Sequence, residues 1–227
     1  MTDALTRVKK IFRLIENASS IDELKEIQNE FTLKEIKDYF PSDKYPQLKF
    51  SLSTDELEQL KKEKILDSNG SISKNCAENN VLKTPLEKLL YAVLWKNGDL
   101  GKEKHIADGV LGIRDNQEIK NEKGLVFYHF GKHLQNKTNP IIDQHVIRAF
   151  KLYEASDSRL EDIDKILKKE TLNAKDKSTF LRYVEWQNKH RLKDSDPIAF
   201  TYYLDRLLFG LGKSLKNKAS RNATPIS

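Results

Sequence analysis

Asp143 is the residue of this chain whose type and position best suit catalysis. It follows a proline-bearing loop and two β-branched residues, and an apolar-periodic segment begins at Gln144. A carboxylate placed beside a developing positive charge lowers a reaction barrier electrostatically. Aspartate is also a preferred helix N-cap, because its carboxylate accepts backbone N–H groups of the first turn. On the residues alone, both interpretations of Asp143 stay open.

Two histidines four residues apart form a second constellation. His129 and His133 share one face of a predicted helix, and such a pair can hold a metal ion when a third ligand is near. The glutamate of the HExxH pattern is missing, since Phe130 and Gly131 follow His129. A paired-histidine face without a third ligand is usually packing or surface, so no metal site is predicted. The same face, with Tyr128, could instead line a pocket for a nucleic-acid base.

The order of elements around Asp143 is as informative as the aspartate itself. A helix predicted from Leu125 to Leu134 precedes the loop, and residues 142–148 read IDQHVIR. This arrangement resembles the helix-hairpin-helix DNA glycosylase superfamily, in which a hairpin, an apolar helix and a loop lead to an aspartate, any residue and a histidine before a further helix. The resemblance covers roughly residues 84–153. It implies an all-α fold of two helical lobes with a cleft.

The resemblance also implies roles for named residues. Asp143 would lie near the sugar of a flipped nucleotide, where it would stabilise oxocarbenium-like charge or activate the attacking water. Flipping is needed because the glycosidic bond cannot be reached within the base stack. Lys123 lies near the nucleophilic lysine of bifunctional members, whose Schiff-base chemistry needs a depressed pKa. The implied DNA contacts come from Lys120, Gly124, Lys132, His145 and Arg148, and the implied base pocket is lined by Tyr128, His129 and Trp95.

The predicted hairpin departs from the family pattern. Residues 119–124 read IKNEKG, with one glycine and no proline, whereas the family hairpin is rich in glycine. Hairpin glycines let backbone N–H groups approach a phosphate closely. Here Lys120 and Lys123 would have to supply that contact by charge. Cys76 is the only cysteine, which excludes a four-cysteine iron–sulfur cluster. No other cofactor is predicted.

The composition narrows the possible partners. Forty basic residues against 34 acidic ones give a net charge of +6, which suits double-stranded DNA but also fits a generally lysine-rich composition. No apolar run approaches the roughly 20 residues that span a bilayer. We therefore expect no membrane partner and a cytoplasmic, nucleoid-associated protein. P-loop, GxSxG and GxGxxG patterns are absent from the sequence.

Helical periodicity runs through most of the chain, and no convincing strand is predicted. Residues 20–23, 32–35 and 53–56 each read as a capping box, and Thr84 begins an apolar helix that we expect in the core. Further helices are predicted near residues 102–111, 125–134, 141–154, 158–169, 173–190 and 196–216. The expected divisions are a helical module at 1–66, a linker or long loop at 67–83, a glycosylase-like domain at 84–216 and a flexible tail at 217–227.

Three functions remain open on the sequence. The first is a DNA glycosylase that excises a modified or mismatched base by hydrolysis of the N-glycosidic bond, with or without AP lyase activity. The second is a non-catalytic helical DNA-binding or regulatory protein, which the degraded hairpin favours. The third is a helical protein-interaction module in which Asp143 is only a cap. The sequence names neither the base nor the oligomeric state.

Overall fold

α-Helices make up nearly all regular structure in the part of the chain described. The computed structural model describes residues 2–31, 47–73, 76, 81–113, 124–155, 160–169, 171–172, 176–192 and 196–221. The only β feature in these ranges is an isolated antiparallel bridge between Leu66 and Ile72, so the all-α prediction is confirmed. The helices are α1 (Thr2–Asn17), α2 (Ile21–Phe31), α3 (Thr54–Lys62), α4 (Pro85–Asn97), α5 (Lys102–Val110), α6 (Leu125–Gln135), α7 (Gln144–Glu154), α8 (Leu160–Lys168), α9 (Lys177–Lys189) and α10 (Pro197–Arg221).

Local capping chemistry sets several helix starts. Complete capping boxes begin α3 at Ser53 and α4 at Thr84, as predicted. At α2 the hydroxyl of Ser20 accepts from the N–H of Glu23, while the Glu23 carboxylate accepts from the N–H of Ser19 instead. The box predicted at residues 32–35 and the tail beyond residue 221 lie outside the described residues.

The chain divides into two compact units. The terminal unit comprises residues 1–48 and 140–227, and the middle unit comprises residues 49–139. These boundaries differ from the expected divisions at residues 66 and 84. In the terminal unit α1 packs on α7 and α2 packs on α10. The first 66 residues therefore do not form one separate module.

Helix α7 is the centre of the terminal unit, where it packs against α1, α8, α9 and α10. Its Phe150 is buried among aromatic rings, with centroids 6.1 Å from Phe12 and 5.4 Å from Tyr183. One face of α10 completes this core with an apolar stripe of fully buried side chains, Phe200, Leu204, Leu208 and Leu211. This packing fixes the N-terminal end of α7, where Asp143 stands.

Helices α5 and α6 pack closely in the middle unit because glycines face each other. A Cβ atom on Gly109 would lie 2.0 Å from the carbonyl oxygen of Tyr128, and one on Gly131 would lie 2.1 Å from that of Ile106. The described part of residues 67–83 belongs to this unit as well. There the thiol of Cys76 is buried and lies 3.3 Å from the carbonyl oxygen of Ile65, so this residue is packed rather than part of a free linker.

The expectation that α4 is a core helix was wrong. None of its residues is buried, and Leu86, Leu89 and Trp95 are 63%, 61% and 66% exposed. An apolar composition indicates that burial of a helix would be favourable, but tertiary packing determines whether other elements cover it. Within the described ranges, no helix combines the length and the apolar character needed to cross a bilayer.

Candidate functional site around Asp143

The loop before α7 delivers Asp143 to the helix N-terminus in an extended backbone conformation, with φ −124° and ψ −177°. Its Oδ1 accepts hydrogen bonds from the backbone N–H groups of His145 at 2.8 Å and Val146 at 2.9 Å. The N-cap interpretation is thus confirmed. Among the described residues Oδ2 has no hydrogen-bond partner. Capping occupies one carboxylate oxygen and leaves the other for a second role.

Burial disfavours the charged form of Asp143, and nearby N–H groups and cations partly offset this effect. Burial raises the pKa of this carboxyl above its usual value, while the N–H groups of Val146 and His145 and the positive charges of Arg148 and Lys213 lower it. The residue as a whole is only partly exposed. A carboxylate that water solvates poorly gains more from an adjacent developing cation than one in bulk solvent does.

A second carboxyl group lies deeper in the terminal unit. Asp205 of α10 is 9% exposed, and its Oδ2 accepts the backbone N–H of Ile141 at 2.8 Å. Burial raises the pKa of Asp205 well above its usual range, and the negative charge of Asp143 raises it further. The two aspartates therefore form an electrostatically coupled pair.

Tyr183 of α9 interacts electrostatically with both aspartates. Its side chain is fully buried, and burial followed by the charges of Asp205 and Asp143 raises its pKa well above the ordinary value. The Tyr183 hydroxyl and Oδ1 of Asp205 are both buried, and the hydroxyl acts on the Asp205 carboxyl, whose pKa it lowers in part. Sequence reasoning missed Asp205 and Tyr183. The available signal was an aspartate within the apolar stripe of α10, on the same face as Leu204 and Leu208.

Arg148 lies in the core and not on a surface that DNA could reach. It is 2% exposed, and its guanidinium donates to the carbonyl oxygen of Gly212 at 3.1 Å and to that of Lys169. The predicted DNA contact of Arg148 is therefore replaced by a role in packing α7 on α10. His145 is partly exposed, its Nδ1 lies 3.0 Å from the guanidinium of Arg148, and its ring lies 5.0 Å from that of Phe209.

The other predicted residues lie in the middle unit or outside the described ranges. Gly124 is the N-cap of α6 with φ 74°, and a Cβ atom there would lie 2.0 Å from the ring of His105. This glycine is thus required by the backbone itself. Lys132 is partly exposed. Lys120 and Lys123 lie outside the described residues.

The predicted base pocket is not assembled as a single aromatic cluster. Tyr128 is 4% exposed and packs within the middle unit, whereas the adjacent His129 is partly exposed with its ring centroid 5.7 Å away. Trp95 lies on α4 and is 66% exposed. These three side chains therefore differ sharply in solvent exposure, and so in their accessibility to a ligand.

The two histidines of α6 have different surroundings. His133 is buried, and its Nδ1 lies 2.7 Å from the carbonyl oxygen of Asn139. Burial lowers its pKa, so the neutral ring is favoured. Within the described ranges, no three side chains of the types His, Cys, Asp or Glu come close enough to hold a metal ion.

Comparison with protein-family models, with curated proteins and with solved structures finds no match to this chain. The interpretation of the Asp143 site therefore depends on its own residues and geometry.

Proposed function

We propose that the protein is a DNA glycosylase that excises a modified or mismatched base, with Asp143 as the catalytic carboxylate. One observation carries this proposal. Asp143 caps α7 through Oδ1 alone, and its Oδ2 lies without a hydrogen-bond partner among the described residues in a partly desolvated position. Capping therefore engages one carboxylate oxygen and leaves the other for the proposed reaction.

The proposed reaction breaks the bond between C1′ of the sugar and the nitrogen of the base. The electron pair leaves with the base, which takes up a proton, and positive charge develops on the sugar ring. The Asp143 carboxylate stabilises that charge and accepts a proton from a water molecule as the water oxygen bonds to C1′, and this proton balances the one that the base takes up. Burial raises the pKa of Asp143, and the N–H groups of Val146 and His145 with the positive charges of Arg148 and Lys213 partly offset that shift toward the ionised form that this role requires.

DNA binding in this proposal is mainly electrostatic. The net charge of +6 supplies a favourable field for a polyanion. Lys132, His145, Gly124 and Lys120 are the proposed contacts to the DNA backbone, and His129 and Trp95 the proposed contacts to the base. Lys123 remains the proposed lyase nucleophile. The all-helical structure of the described residues is of the class that the proposed glycosylase-like fold requires.

The test uses end-labelled duplexes that carry a panel of modified or mismatched bases. Each is incubated with the natural protein, with Asp143→Asn or with Asp196→Asn, and then treated with alkali. Asp196 is a matched control because its Oδ1 accepts the N–H of Ile198 at 2.9 Å near the start of α10. Strand breaks that Asp143→Asn abolishes and Asp196→Asn retains are expected, and breaks without alkali would add lyase activity.

Two outcomes would contradict the proposal. Salt-sensitive duplex binding with no excision of any base would favour the non-catalytic DNA-binding function. Neither binding nor excision would favour the protein-interaction function, in which Asp143 is only a cap.

A further inference from the structure

We propose that Asp205 is a positioning residue for Asp143, whose buried carboxyl group on α10 holds the backbone of the loop that ends at Asp143. The catalytic meaning of this role rests on the proposed glycosylase function. The positioning itself can be measured without any activity.

The contact that carries the inference is the hydrogen bond from the backbone N–H of Ile141 to Oδ2 of Asp205, at 2.8 Å. Ile141 precedes Asp143 by two residues, and the side chain of Ile142 between them is fully buried. The loop is thus held at two successive residues, by a side chain in the core and by a backbone hydrogen bond. With both in place, the backbone at Asp143 has little freedom to rotate before α7 begins.

The surroundings of Asp205 indicate that it acts as a neutral acceptor. It is buried, and the groups that act on its charge are the N–H of Ile141, the Asp143 carboxylate and the hydroxyl of Tyr183. Burial and the charge of Asp143 raise the pKa of Asp205 and outweigh the N–H of Ile141 and the hydroxyl of Tyr183, which lower it. Arg148 and Lys213 act on Asp143 in the opposite direction. The pKa of Asp205 is raised further than that of Asp143, so the neutral form is favoured more strongly at Asp205.

Two substitutions separate this role from general stability. Asp205→Asn keeps a neutral carbonyl oxygen that can accept the N–H of Ile141, whereas Asp205→Ala removes the acceptor. Thr201→Val is the matched control, because Thr201 is a buried residue on the same helix whose hydroxyl accepts from Gln187 at 3.2 Å. A residue that only stabilised the fold would behave alike in the alanine and control variants once the folded fraction is corrected for.

The first readout is amide hydrogen exchange at Ile141, followed by NMR. We expect Asp205→Ala to reduce the protection of this amide at least tenfold, and Asp205→Asn and Thr201→Val to leave it within threefold of the natural protein. The second readout is the titration of the Asp143 side-chain carboxyl. Because the pKa of Asp205 is raised well above its usual value, we expect Asp205→Asn to leave that midpoint unchanged.

The third readout is single-turnover excision. Asp205→Ala should lower the rate at saturating protein at least tenfold with duplex affinity unchanged, and Asp205→Asn should restore it. Unchanged Ile141 protection in Asp205→Ala would overturn the positioning role, and a lowered Asp143 midpoint in Asp205→Asn would overturn its action as a neutral acceptor. If the natural protein excises no base, the glycosylase proposal fails, while the exchange and titration results still decide the role of Asp205.

Discussion

Replacing Asp143 by alanine and by asparagine should separate its two roles, because the substitutions remove different parts of the side chain. Alanine removes both hydrogen bonds to the first turn of α7, from His145 at 2.8 Å and Val146 at 2.9 Å. Loss of an N-cap side chain costs typically about 1 and up to about 2 kcal/mol. Removing the carboxyl also removes a charge that burial disfavours, which partly offsets this loss. We therefore expect Asp143→Ala to cost no more than about 1–2 kcal/mol of unfolding free energy.

Asparagine keeps an oxygen at the capping position, and Asn and Asp are about equal as N-caps. We therefore expect Asp143→Asn to change stability by less than about 0.5 kcal/mol near neutral pH. Excision should nevertheless fall by about 10²–10³, the usual loss when one electrostatic stabiliser of a transition state is removed. The same substitution would then preserve capping and impair catalysis.

The pH dependence of this comparison has a definite sign. The pKa of Asp143 is raised in the folded state, so its favourable contribution is complete below its unfolded pKa and is lost as pH rises through the folded pKa. Asparagine does not titrate. The stability of Asp143→Asn relative to the natural protein should therefore increase as pH rises from about 4 to 7.

Urea unfolding followed by Trp186 fluorescence can measure these differences in the terminal unit. Trp186 is 8% exposed and packs near Phe150, and a Trp95→Phe background removes the only other tryptophan. Linear extrapolation of the unfolding free energy gives the comparison. Equal costs for the alanine and asparagine variants would refute the reasoning, because the retained oxygen would then contribute nothing.

Three further predictions test the packing that supports the site. Gly212→Ala should cost at least about 2 kcal/mol in a denaturant titration, because its Cβ would lie 1.9 Å from the carbonyl oxygen of His145; a neutral result would contradict the close approach of α10 to α7. Leu89→Gln on exposed α4 should change stability by less than about 0.5 kcal/mol, against about 2–5 kcal/mol for Leu152→Ala in the core; similar losses would show that α4 is covered. The pKa of His133 is lowered on folding, so the natural protein should lose stability as pH falls below about 6.5. Thermal melts should show a smaller loss for His133→Gln. An identical loss of stability in both proteins would show that other groups cause it.

The helix starts were predictable from the sequence because they depend on neighbours within four residues. Ser53 and Thr84 form the expected capping boxes, and Asp143 caps α7 where an aspartate precedes a periodic apolar segment. These interactions need no knowledge of tertiary structure. The helix positions, and hence the all-α class, follow from the same local chemistry and from apolar periodicity.

The burial of individual residues was not predictable in the same way. Arg148 stands between hydrophobic neighbours at a spacing that suits a surface contact, yet its guanidinium is buried and donates to the carbonyl groups of Gly212 and Lys169. Asp205 approaches the Asp143 loop from 64 residues away along the chain. Such contacts arise only when α7, α9 and α10 have packed, and no local pattern specifies which helices meet.

The most direct test of the central claim is to detect a released base. DNA damaged at random by alkylation, oxidation and deamination is incubated with the natural protein or with Asp143→Asn, and the free bases in the filtrate are identified by mass spectrometry. We predict that the natural protein releases one or a few modified bases and that Asp143→Asn releases none above background. Equal release by both proteins, or release by neither, would contradict the assignment of Asp143 as the catalytic carboxylate of a DNA glycosylase.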